Sequence, residues 1–251
     1  MDEVEVVVAH SERATLRVGD MFLKVDGDQA RIDAEVEAMA LAPVPTPKIL
    51  WHKPHVLAIA ALPGTTLGRL GGPSTGSPTA WAAAGAAIRK LHDAPLPPRP
   101  GQAGRNIVAL TAELDAECEQ LVTSNVLPAN LVTRNRQVAE AALRPWPPAF
   151  THGDLQIAHI FVDDNDEVTG IIDWSEAGQG DALHDLATFT LGHEQHLTDV
   201  ITGYGTDVDL DLDVIHAWWS LRSLLVIRWL TEHGFDPFAP GCEVDVLKSR
   251  M

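Results

Sequence analysis

The stretch THGDLQIAHIFVDDNDEVTGIIDWSEAGQGD, residues 151–181, gathers the side chains best suited to chemistry. Asp154 follows His152-Gly153, His159 stands five residues later, and Asp173 closes an apolar run nineteen residues after Asp154. HIFVDD and EVTGIIDW, joined by a polar DND turn, read as the two strands of a hairpin. A hairpin brings the chain back to its start, so Asp173 returns to the neighbourhood of Asp154. Two converging carboxylates suit phosphoryl transfer. One can hold Mg²⁺, a hard cation that takes oxygen ligands, and the other can orient a hydroxyl and accept its proton. Glycoside hydrolysis also uses a carboxylate pair, but it gives no reason for the lysine and the short apolar strand upstream.

The elements that must carry these groups can be read along the chain. Residues 4–9 and 13–25 pattern as strands, with Gly19-Asp20 as a turn and Lys24 near the end of the second run. DQARIDAEVEAMALA patterns as a helix ended by Pro43 and Pro45. HVLAIAAL, residues 55–62, is a short buried strand closed by Pro63-Gly64. Ser77-Pro78 is a good N-cap and first-turn pair for TAWAAAGAAIRKLHD, whose small residues predict close helix packing. Residues 105–144 carry mixed helical patterns. Residues 182–200 and 212–232 are helical by periodicity, with Trp218, Trp219, Leu221, Leu225 and Trp229 available as core.

HGDLQIAH, GIIDW and GQGDALHDLA, in this order, resemble the motifs of the aminoglycoside phosphotransferase and choline kinase-like family. The resemblance covers nearly the whole chain and is most specific across 151–187. It implies an α+β, two-lobed protein-kinase-like fold. The N-lobe, residues 1–62, would be a small antiparallel β-sheet with one helix and the hinge strand 55–62. The C-lobe, residues 63–251, would be larger and mainly helical, with the catalytic β-hairpin, the metal site and the acceptor pocket. The implied activity is transfer of the γ-phosphoryl of ATP, with GTP left open, to a hydroxyl of a small molecule. Asp154 then engages the acceptor hydroxyl and Asp173 holds the metal, while Asp181 and Asp185 brace the loop. Lys24 steadies the phosphates and pairs with Glu35, favoured over Glu37 by register with the family pattern. Backbone groups near Ala60 and Leu62 meet the adenine edge. No glycine-rich loop stands between the first strands. AHSER takes its place, and Ser11 is the candidate phosphate contact there.

His159 departs from the family, which has asparagine at this place. An imidazole nitrogen suits Mn²⁺ or Zn²⁺ better than Mg²⁺. Three roles stay open: metal binding through water, a hydrogen bond to Asp154 that leaves Asp173 as the main ligand, or weakened activity. The second is preferred. Weakened activity would make the chain a non-catalytic, pseudokinase-like nucleotide binder, the rival from another class. Intact Lys24, Asp154 and Asp173 argue against it.

Other motifs are weaker. DDNDE at 163–167 is similar to a calcium loop but lacks its glycine and final glutamate, and reads as a solvated turn. HEQH at 193–196 reads as an exposed helix end that borders the acceptor pocket. His92 and His184 read as ordinary helix residues, and His152 as a brace for its loop. The formal charge is −17, from 35 acids and 18 bases. Such a field disfavours nucleic acid and anionic membranes and favours a cationic acceptor, although acidity also serves solubility. An acidic N-terminus without a basic leader pattern, the absence of a spanning apolar run, and two cysteines expected to stay reduced point to a cytoplasmic enzyme. Monomer and dimer are equally compatible with the sequence, and an amino alcohol or a sugar stands beside an aminoglycoside-like antibiotic as acceptor.

Overall fold

The computed structural model describes residues 4–69, 71–98, 106–205 and 210–250. An antiparallel meander opens the chain: β1 (Val4–Ala9), β2 (Arg13–Val18) and β3 (Met21–Asp26). Gly19, at φ +58°, makes the tight link between β2 and β3, a conformation open to a residue without a Cβ. Helix α1 (Gln29–Leu41) starts where the Asp28 carboxylate accepts the Ala30 N–H at 2.9 Å. Its inward face, with Ile32, Ala38 and Met39, joins the core together with Leu57 and Ile59 of the sheet. Strands β4 (Ile49–Lys53) and β5 (Val56–Ala60) complete five strands in the order β1-β2-β3-β5-β4.

The strand expected at 55–62 is thus β5, beginning after His55, which sits in a turn at φ +64°. The edge strand β4 has no signal in the sequence pattern. Leu50, Trp51, His52 and Lys53 are all exposed, so no buried face imposes an alternation.

The second part is built on helices α2 (Pro78–His92), α3 (Ile107–Thr123), α4 (Ala129–Ala139), α5 (Ala182–Thr190), α6 (Leu197–Tyr204), α7 (Leu212–Glu232) and α8 (Glu243–Ser249). The Ser77 hydroxyl accepts the Ala80 N–H at the start of α2 and donates to Asp166 at 2.6 Å, tying the helix to the 163–167 turn. That turn is closed by Asp163, which accepts from the Asn165 and Glu167 backbones as expected of a solvated turn. The small residues of α2 do serve close packing. A Cβ on Gly85 would lie 2.1 Å from the Val200 carbonyl oxygen, and one on Gly203 would lie 1.7 Å from that of Ala82.

α7 runs against α3, α4, α5 and α8. Buried Trp218 and Trp219 donate their indole N–H to Asp181 Oδ2 at 2.8 Å and to the Ala187 oxygen at 2.7 Å, so each buries its ring without stranding its donor. Two expectations are corrected here. Trp229 is not core: it is 44% exposed at the far end of α7. The helix expected over 182–200 is also two helices, separated by Gly192 at φ +72°, where a Cβ would meet the Gly241 carbonyl oxygen at 1.9 Å. HEQH lies in this break, where Glu194 and Gln195 are exposed as expected but the two histidines are not. His193 is buried, and His196 stacks on the buried Trp81 at 4.6 Å.

Both cysteines are free thiols, and burial pushes each pKa up to about 11. Among the described residues, no helix is long and apolar enough to cross a membrane.

Candidate active site

Five short strands present the motif loops to each other. β7 (Ala149–Thr151) pairs with β10 (Gly178–Gly180), while β8 (Ile160–Val162) and β9 (Val168–Ile171) form the expected hairpin, with β6 (Thr65–Thr66) alongside β8. The loops after β7 and after β9 therefore face one another. Gly153 is required at their contact: at φ +87°, a Cβ there would lie 2.3 Å from the Glu176 carbonyl oxygen. Asp173 itself sits at φ +66°. A non-glycine residue in this region stores about 1–3 kcal/mol of strain and stays only where its surroundings hold it.

The bracing is specific. His152 donates from Nε2 to the Ile172 oxygen at 2.9 Å, and its Nδ1 faces the Asp154 N–H at 3.3 Å. The loop histidine is thus a brace, as the sequence predicts, and burial holds it below the ordinary histidine pKa. Asp185 accepts the His152 and Gly153 N–H groups at 2.7 and 2.9 Å. His92 is more than an ordinary helix residue, because it donates from Nε2 to Asp185 at 3.1 Å while its Nδ1 meets the Tyr204 hydroxyl at 2.9 Å. His184 Nδ1 also lies 3.9 Å from Asp185.

The distant sequence elements meet at Asp173. Lys24 of β3 bridges Glu35 of α1 and Asp173, donating to Asp173 Oδ1 at 2.9 Å. Glu35, rather than Glu37, is the lysine's partner. Burial alone would raise the Asp173 carboxyl, but Lys24, His159 and Arg13 outweigh it and hold its pKa far below the usual carboxylate range. Burial opposes the charge on Lys24 as well, and Asp173 and Glu35 reverse that effect and keep it protonated.

Asp154 has its own partners. Arg222 of α7 donates to Oδ1 at 3.1 Å, and Gln156 donates to both carboxylate oxygens at 2.9 Å. Against burial, Arg222, His159 and Gln156 hold Asp154 ionised. His159 donates from Nδ1 to the main-chain oxygen of Asp154 at 2.8 Å, and its Nε2 stands 3.8 Å from Asp173 Oδ2. The preferred hydrogen bond to Asp154 therefore exists, but it goes to the backbone, and the carboxylate is held by Arg222 and Gln156 instead.

Two adjoining cavities of about 450 and 500 Å³ share Asp154, Gln156, Asp173, Arg13, Arg222 and Trp229 in their walls. His159 lines the first, whose far wall is apolar, with Phe189, Leu191 and Phe235; Glu12, Glu113, Glu117 and Glu176 line the second. Ser11 is exposed in the β1–β2 turn and lines neither cavity, whereas its neighbours His10 and Arg13 line both. Ala60 and Leu62 also lie outside both linings. The Ala60 N–H is taken by the Lys48 oxygen at 2.9 Å and the Ala61 N–H by Asp20 at 2.8 Å. The Leu62 side chain lies against Gly170, where a Cβ would meet its Cδ1 at 2.6 Å.

The model of the Phosphotransferase enzyme family matches residues 8–218, from β1 into α7, with all of this machinery except the end of α7 and α8. The chain belongs to the phosphotransferase enzyme family. Within it, the chain is 30% identical over 182 residues to the streptomycin 3''-kinase of Streptomyces griseus, a stretch that covers 64% of each chain. The chain thus spans less than two thirds of the length of the curated relatives it matches. Two solved phosphotransferase-like structures share the fold. The GDP and kanamycin complex of APH(2")-IIia superposes with a TM-score of 0.71 at 16% identity, covering 99% of this chain and 92% of that one. A choline/ethanolamine kinase family protein from Mesorhizobium loti gives 0.66 at 22% identity, covering 99% and 88%. The α+β architecture of a small antiparallel sheet followed by a helical part is therefore that of the phosphotransferase family's kinase-like fold.

Sequence reasoning passed over two arginines of this site. Arg13, the first residue of β2, binds Asp26 at 3.0 Å and Ser175 at 3.1 Å and lies 3.8 Å from Asp173. Arg222 links Asp154 to Glu243 of α8, at 3.1 Å on each side. Arg222 did leave a trace, as a lone cation in the helical run WWSLRSLL, where a buried charge demands a partner. Arg13 left none, since an arginine at a strand end is ordinary.

Proposed function

We propose that this protein is a small-molecule kinase that moves the γ-phosphoryl group of a nucleoside triphosphate, ATP in the first instance, to a hydroxyl of a small acceptor. The observation that carries the reading is the Glu35–Lys24–Asp173 chain ending beside Asp154 at the wall shared by two cavities. Phosphoryl transfer asks the protein for positioning and charge stabilisation, and these groups supply both. We divide the chain between residues 62 and 63, giving the sheet and α1 to nucleotide binding and the remainder to the catalytic loop, the metal site and the acceptor pocket.

In this reading Lys24, fixed by Glu35, and Arg13 face the phosphates. Asp154 accepts a hydrogen bond from the acceptor hydroxyl. As the acceptor oxygen bonds to the γ-phosphorus, the bond to the β,γ-bridging oxygen breaks and the hydroxyl proton passes to Asp154. The depressed pKa of Asp154 makes it a weak base, so its main task is orientation, with proton transfer late in a loose transition state. Asp173, ionised and turned toward the cavity, fits a divalent ion, with His159 Nε2 as its neighbour. Such an ion would neutralise charge on the phosphates. Backbone groups near Ala60 and Leu62 remain the proposed adenine contacts, and Ser11 a secondary phosphate contact. The formal charge of −17 supports a cationic acceptor of the aminoglycoside kind.

The test is transfer of radiolabelled γ-phosphate, from ATP and then GTP, to a panel of aminoglycosides, amino alcohols and sugars. Labelled product with wild type and none with Asp154→Asn is the expected result. Stabilisation by nucleotide and metal, with no product across the panel, would favour the pseudokinase-like rival.

A further inference from the structure

His10, in the turn between β1 and β2, packs its ring against the far end of α7. We infer that His10 is a positioning residue: seated against Trp229 and His233, it latches this turn to α7, keeps Arg13 at the phosphates, and lets go when its ring is protonated. The part played by Arg13 rests on reading the cleft as a nucleoside triphosphate site; the latch itself does not.

The contact spans two distant parts of the chain. The His10 ring meets Trp229 edge-on at 6.0 Å and 83°, and His233 edge-on at 5.3 Å and 89°. Trp229 and His233 stand one turn apart at the end of α7 and stack on each other at 4.1 Å. His233 Nδ1 donates to the Trp229 oxygen at 2.8 Å, which fixes its ring. Phe235 stacks on Trp229 as well, at 5.9 Å. Edge-on and offset pairs at such separations are the favourable arrangements of ring quadrupoles.

The turn transmits the contact to Arg13. The His10 N–H donates to the Arg13 oxygen at 2.9 Å, so the two residues move together. Arg13 lies 3.8 Å from Asp173, and His10, Arg13 and Trp229 line both cavities. The latch therefore joins the sheet to α7 at the wall that the cavities share.

The latch favours an uncharged ring. His10 Nδ1 is shielded and has no hydrogen-bond partner. A neutral ring can leave a bare nitrogen there, whereas a protonated ring must place a charged N–H there without an acceptor. Of the charged groups around it, Glu12 in the same turn favours protonation, while His233 of α7, Arg13 of β2 and Arg31 of α1 oppose it. Glu12 is itself engaged by Arg31 at 3.0 Å, and Arg228, next to Trp229, is paired with Glu117 and Glu232. Partial burial, then His233 and Arg13, hold His10 below the ordinary histidine pKa. The latch is then complete above the ordinary value of about 6.5 and weakens as pH falls below it.

NMR titration of the histidine ring protons reads the latch without nucleotide. The His10 signals, identified by their loss in His10→Phe, should titrate below the ordinary histidine value in wild type and move up toward it in Trp229→Ala. Calorimetry with a non-hydrolysable ATP analogue and Mg²⁺, and with adenosine, reads the consequence. Between about pH 7.5 and about pH 5.5, wild type should lose about fivefold more affinity for the analogue than His10→Phe, whose ring packs but cannot be charged. Adenosine should show no such difference. At the higher pH, His10→Ala should bind the analogue about fivefold more weakly than wild type, and His10→Phe should restore most of the loss. A His10 that titrates at the ordinary value and ignores Trp229→Ala overturns the latch and leaves the kinase reading standing. Equal pH dependence of analogue binding in wild type and His10→Phe overturns the positioning role. No binding of the analogue by wild type at either pH, with the expected titration of His10, overturns the kinase reading and the part given to Arg13, while the latch stands.

Discussion

Arg222 donates to Asp154 Oδ1 at 3.1 Å and, through its other terminal nitrogen, to Glu243 at the same distance. The proposed catalytic aspartate on the loop after β7 is thereby anchored to α7 and, through α7, to α8 near the end of the chain. The charge order is acid–base–acid. It holds the Asp154 carboxylate ionised and in place.

Arg222→Met should therefore impair catalysis more than substrate binding. Loss of one charged hydrogen-bond partner at this site costs about 2 kcal/mol of folding stability, read in urea denaturation. With Arg222 gone, the Asp154 carboxyl titrates higher, so the acid limb of the kcat profile should move up in pH while KM for the nucleotide changes little. An unchanged acid limb would mean that Arg222 only fills space.

Arg13 and Lys24 flank the same oxygen of Asp173, yet differ in depth. Lys24 is nearly buried behind Asp173, and Arg13 faces the cavity at its edge. Arg13→Gln should weaken triphosphate binding by about tenfold, as expected for a charged contact to phosphate, with little effect on adenosine. Lys24→Met should lower turnover more severely, on the order of a hundredfold or more. Calorimetric titration with ATP, AMP and adenosine separates the two. Equal loss across all three ligands for Arg13→Gln would point to a collapsed loop between β1 and β2.

Stability should fall with acid in two stages. His152 has a folded pKa below its ordinary value because it is buried, so its contribution is complete above the unfolded value of about 6.5 and is lost as pH drops below it. Asp173, Asp185 and Asp26 have depressed pKa values in the folded protein, burial being outweighed by Lys24 at Asp173, by His184 and His92 at Asp185, and by the Asp28 N–H, Arg31 and Arg13 at Asp26. Their contributions are complete above the unfolded value of about 4 and disappear as pH falls further. The urea midpoint should decline gently below pH 6.5 and steeply below pH 4. Asp185→Asn should lower the midpoint at pH 7 and flatten the steep limb. A steep limb equal to that of wild type would remove Asp185 from this account.

Much of the site was legible because its signals are local. The polar turn between two apolar runs predicts the β8–β9 hairpin, and a hairpin must return Asp173 toward Asp154. Glycine between His152 and Asp154 marks a loop in a conformation that other residues avoid, and the structure supplies the Glu176 carbonyl that enforces it. Helix α2 announced itself by Ser77-Pro78 and its small-residue face. Where periodicity misled, tertiary packing was the cause: Gly192 breaks the helix expected over 182–200 to let residue 241 approach, and the α7 stripe runs past the core, leaving Trp229 at the cleft.

By itself, then, the sequence determined most of the strands and helices, though neither β4 nor the break at Gly192, and the convergence of two aspartates, because alternation, turn chemistry and capping act over a few residues; the pairing of Lys24 with Glu35 came from the family resemblance. Only the tertiary structure decided which cations restrain those aspartates and which way His159 points. Arg13 meets Ser175 across 162 positions and Arg222 meets Asp154 across 68. No periodic pattern encodes such contacts; they arise when separately formed elements bury their apolar faces and bring the remaining charges within reach.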